Sequence, residues 1–201
     1  MTRRFGAALF LLLFSTPEIA AAHTPIKGIG AVFNGMLHPV VTPSHLLLLI
    51  ATCLLLGRGG IDEAKMPLLV SIAMVVTGLA LSGFSPGVQV EQFILVWAAV
   101  TGLLVAASPK ISAFWYALIG AVAGFSLGFD SGQDMSSVKD NVLALFGSGI
   151  GIYFLSLYPL RFAEFSNSKN WLGTGIRVIG SWIAASALLV LALEISSQGD
   201  I

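Results

Sequence analysis

Most of this chain consists of six long apolar stretches separated by short polar connections. Each stretch is close to the length of about 20 residues that an α-helix needs to cross a bilayer. The composition agrees, because 56% of the residues are hydrophobic and only 10% are charged. Charged residues make up about a quarter of a typical soluble domain. The sequence therefore predicts an all-α, polytopic membrane helix bundle.

The start of the chain is predicted to be a cleaved signal peptide over residues 1–22. Arg3 and Arg4 precede an apolar run over residues 5–14, and small residues at 20–22 provide a cleavage site. This order is typical of secretory signals, and so short a run is too short to cross the membrane as a helix. An uncleaved N-terminal anchor is the alternative. Residues 23–201 are predicted to form a single transmembrane domain, with spans near 31–56, 66–84, 91–107, 112–129, 138–160 and 173–195.

Lysine and arginine are distributed unevenly between the two sides of the predicted bundle. A cleaved signal and six spans place both ends of the mature chain outside, with six basic residues inside and two outside. Cytoplasmic loops of membrane proteins carry this excess. We therefore expect a bacterial inner-membrane protein surrounded by lipid, with a membrane-protein partner or a homo-oligomer as alternatives. The formal net charge is +0, so we expect no nucleic-acid partner.

The most polar segment inside an apolar span is residues 38–45, which reads HPVVTPSH. Polar groups are costly in hydrocarbon and usually face the interior of a bundle. On an unbroken helix His38 and His45 would lie about 10.5 Å apart, too far to share one ion. Pro39 and Pro43 predict a broken helix or a re-entrant turn, which would bring the rings together and expose backbone carbonyls. Two interpretations remain open, a transient cation site and hydrogen bonds that stabilise a kink.

Three further residues are candidates for contact with a cation. A chain cleaved after residue 22 begins at His23, where the α-amino group and the imidazole can together chelate a metal. Asp130 and Asp134 follow the fourth span and would attract divalent cations to the outer mouth of the bundle. The alternatives are a mobile chain end for His23 and a solvated loop with helix caps for the two carboxylates.

Glycine recurs at every fourth position of the fourth span, at Gly120, Gly124 and Gly128. Faces made of small residues allow helix backbones to approach closely in lipid, where no hydrophobic force drives helices together. We therefore predict that this face packs against another helix. The alternative is that the glycines clear a path for an ion.

The arrangement resembles the HupE/UreJ family of hydrogenase and urease accessory membrane proteins. The similarity covers most of the chain and includes the signal peptide, a mature start at histidine, and six spans. It also includes His38-Pro39, His45 followed by leucines, and a glycine-rich fourth span that ends at Asp130. The family usually has an aspartate directly before the second histidine, where this chain has Ser44. The resemblance implies a nickel or cobalt permease in which both histidines contact the metal.

The function expected from these features is secondary transport of nickel or another divalent transition metal for metalloenzyme maturation. The metal would be bound transiently, and no permanently bound cofactor is expected. The alternative is a non-transporting accessory subunit or assembly factor of a larger membrane metalloenzyme complex. The sequence contains no glycine-rich nucleotide loop and no HExxH or GxSxG motif, so we do not expect an enzyme.

Overall fold

The computed structural model describes residues 26, 28–82, 90–133 and 135–198. The predicted signal peptide lies outside the described residues, as do the candidate metal contacts His23 and Asp134. All the structural statements below concern the described part of the chain.

The described residues form seven α-helices and no strand, which confirms the predicted all-α class. The helices are α1 (Ala31–Val41), α2 (Pro43–Gly57), α3 (Ile61–Leu81), α4 (Glu91–Ala107), α5 (Ala113–Phe129), α6 (Val138–Ser166) and α7 (Asn170–Gln198). Within the described residues, each of the six predicted spans overlaps a helix, and the first predicted span is divided between α1 and α2.

Three of the described helices, α3, α6 and α7, are long and apolar enough to cross a membrane. Helices α1 and α2 pass the same test as a pair, but they are bent by 71° at the break between them. The described residues therefore contain up to four crossings by this measure, with the bent pair counted as one. Helices α4 and α5 are also apolar and have 17 residues each.

The outward faces of the helices carry large apolar side chains, among them Phe114, Trp182 and Leu193, which are all exposed. Extended apolar surfaces of this kind are rare on soluble monomers. In a bilayer they contact lipid tails, which are as apolar as the side chains themselves. The surface therefore agrees with the membrane environment that the composition predicts.

Helix α2 lies at the centre of the bundle, and most of its residues are buried. It contacts α4, α5 and α6, while the other helices pair around it as α3 with α5, α4 with α7, and α1 with α6. The helix that carries His45 is therefore enclosed by protein on several sides.

Close backbone contacts hold two of the outer pairs together. Gly124 of α5 lies so near the carbonyl of Ser71 in α3 that an added Cβ would overlap it. The glycine face predicted from the sequence is therefore a packing surface, as small residues often are in lipid. Gly35 has the same role in α1, because its Cα approaches the carbonyl of Ala144 in α6.

The two ends of the bundle differ in charge and in contacts. At one end, which we call the histidine end, His45 near the start of α2 meets Asp130 at the end of α5. At the other, which we call the basic end, Arg58 after α2 donates a hydrogen bond to the carbonyl of Val105 near the end of α4. The histidine end therefore brings together the residues that the sequence predicts to be functional.

Candidate functional site

The break between α1 and α2 follows from the proline spacing. Thr42 precedes Pro43, and a residue before proline is disfavoured in the helical region, so Thr42 has φ −95° and ψ 106°. Pro43 has no amide hydrogen, so the carbonyl of Pro39 loses the partner that it would have in an unbroken helix. Proline is well suited to the first position of a helix, and α2 begins at Pro43. The chain therefore bends at Thr42 and resumes its helical path at once.

A neighbouring helix satisfies another carbonyl that proline leaves without a partner. Pro39 lies inside α1 and has no N–H to donate to the carbonyl of Gly35, one turn earlier. Ser148 of α6 donates its hydroxyl to that carbonyl oxygen at a distance of 3.2 Å. This bond, together with the close approach at Gly35, holds the part of α1 that carries His38 against α6.

The bend brings the two imidazole rings into contact. The ring centroids of His38 and His45 are 4.9 Å apart, and the ring planes meet at 88° in an edge-to-face arrangement. Both residues are buried, with 1% and 0% of their surface exposed. The broken-helix prediction is confirmed, because an unbroken helix would hold the two residues about 10.5 Å apart.

Asp130 brings a carboxylate to the same place from α5. Its Oδ2 lies 3.0 Å from Nε2 of His45, and its side chain is 10% exposed. From the sequence, Asp130 was expected at the outer mouth of the bundle, with a solvated loop and helix caps as the alternative; the structure places its carboxylate against a fully buried imidazole. Asp130 is also the C-cap of α5, where the negative end of the helix dipole disfavours a carboxylate and favours a neighbouring cation.

The contact with Asp130 determines which nitrogen of His45 is available to a ligand. Nε2 faces the carboxylate, and a neutral ring that donates to it from Nε2 presents a lone pair at Nδ1. Nδ1 is buried and has no hydrogen-bond partner among the described residues, as is true of Oγ1 of Thr42 at the break. A carboxylate on one ring nitrogen with a lone pair on the other is how proteins commonly present histidine to a metal.

A second carboxylate, which the sequence did not assign to the site, approaches from α4. The buried hydroxyl of Ser44 donates a hydrogen bond to Oε1 of Glu91 at 3.5 Å. Glu91 lies in the first turn of α4, where the helix dipole favours a negative charge. No local pattern predicts this contact across 47 positions. The available signals were that Glu91 begins a predicted span on the outer side and that Ser44 lies in the polar segment 38–45.

Of the predicted site residues, the structure brings together His38, His45 and Asp130. The other two, His23 and Asp134, are outside the described residues. No group of three or more His, Cys, Asp or Glu side chains in the described part of the chain has a geometry that could hold a metal ion. The observed arrangement is therefore a pair of imidazoles with a carboxylate bound to one of them.

A family model described as HupE / UreJ protein matches residues 10–190 of the chain. The chain belongs to the HupE/UreJ family. The family assignment predicted from the motifs is confirmed, and together with the apolar helices it indicates a multi-pass membrane protein of an accessory and transport family. No curated protein and no solved structure shows a significant match to the chain. In this HupE/UreJ protein the two motif histidines lie on either side of a bend within the first span.

Proposed function

We propose that this HupE/UreJ protein is a secondary permease for a divalent transition metal, nickel or a similar ion, that supplies metalloenzyme maturation. The observation that carries the proposal is the contact between His38 and His45, whose ring centroids are 4.9 Å apart at a buried break in the first span. Ionisable side chains at membrane depth face bundle interiors and mark ion pathways.

The groups at the break suit transient binding of such an ion. Imidazole nitrogen is a good ligand for nickel, copper, zinc and iron. The bend adds two oxygen donors, the Pro39 carbonyl that lacks its helical partner and the Thr42 hydroxyl. Because few of these ligands are charged, we expect weak binding. Conduction requires binding that is favourable enough for entry and weak enough for release.

Asp130 acts in this proposal through His45. Its carboxylate orients the ring, makes Nδ1 more basic and adds a negative charge close to an incoming cation. Asp130 is therefore a positioning residue for the metal-contacting histidine.

The histidine end is proposed as the side from which ions enter. Glu91 and Asp130 place negative charge there, which raises the local concentration of cations. On sequence grounds His23 and Asp134 remain in the proposal as capture residues at this end. The lysine and arginine distribution supports the proposal that this side is outside, in a bacterial inner membrane with both termini of the mature chain on that side.

A non-transporting accessory subunit is the second candidate, and one observation favours it. His45 is already hydrogen-bonded to Asp130 within the protein, so this pair can stabilise the bend without an ion. In that case the chain would pack beside a larger membrane metalloenzyme and would be isolated together with it.

Metal uptake by cells that express the protein distinguishes the two candidates. The test variant is His38→Gln with His45→Gln, which removes both imidazoles but keeps polar side chains. The control is Thr101→Val at a buried position of α4, whose hydroxyl already donates to the carbonyl of Trp97 within the same helix. For nickel, cobalt and zinc measured separately, we expect uptake of the transported ion to fall to the level of cells lacking the protein. The control should match the unaltered chain.

Equal uptake by the double variant and the unaltered protein, at equal expression, would contradict the permease. A membrane metalloenzyme recovered in stoichiometric amount from the same cells would then support the accessory subunit.

A further inference from the structure

At the basic end, two arginines from different helices cap the end of α4. Arg58, which follows α2, donates from Nη1 to the carbonyl of Val105 at 3.1 Å. Arg177 of α7 donates from Nε to the next carbonyl, that of Ala106, at 2.8 Å. Because they bind two carbonyls of its last turn, both guanidinium groups lie at the same end of α4. Arginine side chains interact favourably with the carbonyls and the dipole at a helix C-terminus.

The positive charge of this pair is only partly balanced by the helix. A helix C-terminus is equivalent to about half a negative charge, whereas each guanidinium carries a full positive charge. Among the described residues, no carboxylate lies within ion-pair distance of Arg58 or Arg177. Two other cations at this end, Lys65 and Arg161, each have an acidic partner three residues away, at 2.6 Å.

The positive charge of Arg177 also acts on Arg58. Burial lowers the pKa of the Arg58 guanidinium, Tyr116 acts in the opposite direction, and the positive charge of Arg177 lowers this pKa further. An anion between the two groups would offset their mutual repulsion.

Each guanidinium uses one of its nitrogens on α4 and retains donors on the other two. Arg58 retains Nε and Nη2, and Arg177 retains both Nη atoms. Planar guanidinium groups bind the oxygens of a phosphate through paired N–H donors, in a geometry that lysine does not reproduce. Two such groups, each bonded to the end of α4, therefore suit an anion with several phosphate oxygens.

We propose that Arg58 and Arg177 form a binding site for the phosphate of an anionic phospholipid headgroup. Both side chains bind the last turn of the apolar helix α4, and the ends of such helices are where we expect lipid headgroups. This end also carries the basic excess that predicts the inner side of the membrane, and that leaflet is rich in anionic lipid. A lipid phosphate, rather than a free phosphate ion, is therefore the occupant that this position favours.

Native mass spectrometry of the full chain, purified in detergent, tests the site. The protein is titrated with phosphatidylglycerol, with phosphatidylcholine, and with phosphatidylglycerol in the presence of inorganic phosphate. We expect preferential retention of phosphatidylglycerol that an equal concentration of inorganic phosphate does not reverse. Arg58→Gln and Arg177→Gln should each weaken this binding by about tenfold, the effect of losing one charge-assisted hydrogen bond.

Arg161→Gln is the matched control, because it removes the same charge at the same end from an arginine that already pairs with Glu164. It should leave phosphatidylglycerol binding unchanged. Arg177→Lys keeps the charge at an exposed position and should still bind more weakly than the unaltered protein, so the test does not depend on the half-buried Arg58.

Three results would overturn the proposal. Equal affinity of the Arg177→Gln variant and the unaltered protein for phosphatidylglycerol would mean that the two arginines only cap α4. An equal loss in Arg161→Gln would indicate general surface charge. Displacement by an equal concentration of inorganic phosphate would indicate a free anion instead of a lipid.

Discussion

The two ends of the bundle place polar side chains in opposite ways. At the histidine end, the imidazoles of α1 and α2 face each other in the interior, and Nδ1 of His45 has no hydrogen-bond partner among the described residues. At the basic end, Arg58 and Arg177 reach across to backbone carbonyls and complete the end of α4. The difference indicates that burial alone does not identify a functional polar group. More informative is the hydrogen-bonding capacity left unused among the described residues, at Nδ1 of His45 in the interior and on the remaining guanidinium nitrogens of Arg58 and Arg177 at the basic end.

Among single substitutions that compare the two ends, Asp130→Asn is expected to have the largest effect, a loss of metal uptake. The amide keeps a polar group beside His45 but removes the negative charge that orients the ring and makes it more basic. We expect metal uptake to fall about 10- to 100-fold, the usual result of losing such a partner of a metal-binding histidine.

Asp62→Asn is the matched control for this prediction, because Asp62 forms an exposed ion pair with Lys65 at the basic end. Exposed pairs contribute little, so uptake should stay within about twofold of the unaltered protein. An equal loss of metal uptake in Asp130→Asn and Asp62→Asn would contradict the claim that the histidine end has the larger role in transport.

A smaller effect, on stability, is expected from Gly35→Ala. The added Cβ would overlap the backbone of Ala144 and force α1 away from α6, which should reduce the free energy of unfolding by about 1–3 kcal/mol. Gly173→Ala is the control near the basic end, because nothing lies within 4 Å of an added Cβ there. Alanine is the better helix former, so this change should be neutral or stabilising by up to about 1 kcal/mol.

Unfolding in mixed detergent micelles, followed by circular dichroism, measures both glycine variants under the same conditions. If Gly35→Ala were as stable as Gly173→Ala, the close contact between α1 and α6 would not contribute to stability, contrary to this prediction.

The smallest effect is expected from Ser148→Ala. This change removes the hydroxyl that satisfies the Gly35 carbonyl, and the same unfolding measurement should show a loss of about 1 kcal/mol. Ser168→Ala provides the comparison, because Ser168 bonds only within its own exposed turn at the basic end. Its effect should be within about 0.5 kcal/mol. An equal change in the free energy of unfolding of both variants would mean that the bond from Ser148 to the Gly35 carbonyl does not stabilise the protein.

The features that the sequence predicted well are local ones. Apolar length predicted where the helices lie, and the spacing of Pro39 and Pro43 predicted the break that brings His38 to His45. A proline acts on residues within one turn of itself, so its effect can be inferred without knowledge of the tertiary structure.

The contacts that complete the site were not predictable in the same way. The bond between His45 and Asp130 spans 85 positions and depends on how α5 packs against α2. A helix that is apolar on all sides gives no indication of which side faces the protein. The glycine repeat predicted that α5 packs closely, but it did not identify α3 as the partner. For the same reason, Arg58 and Arg177 contributed only to the predicted orientation, although the structure shows them capping α4.

The central claim is that the bent first span presents His38 and His45 to a metal ion, and transport by purified protein in proteoliposomes tests it most directly. We expect vesicles with the unaltered protein to accumulate nickel, or whichever of cobalt and zinc it transports, and Thr101→Val vesicles to match them. Vesicles with His38→Gln and His45→Gln should accumulate no more than protein-free vesicles. Equal accumulation by the double variant and the unaltered protein would contradict the account.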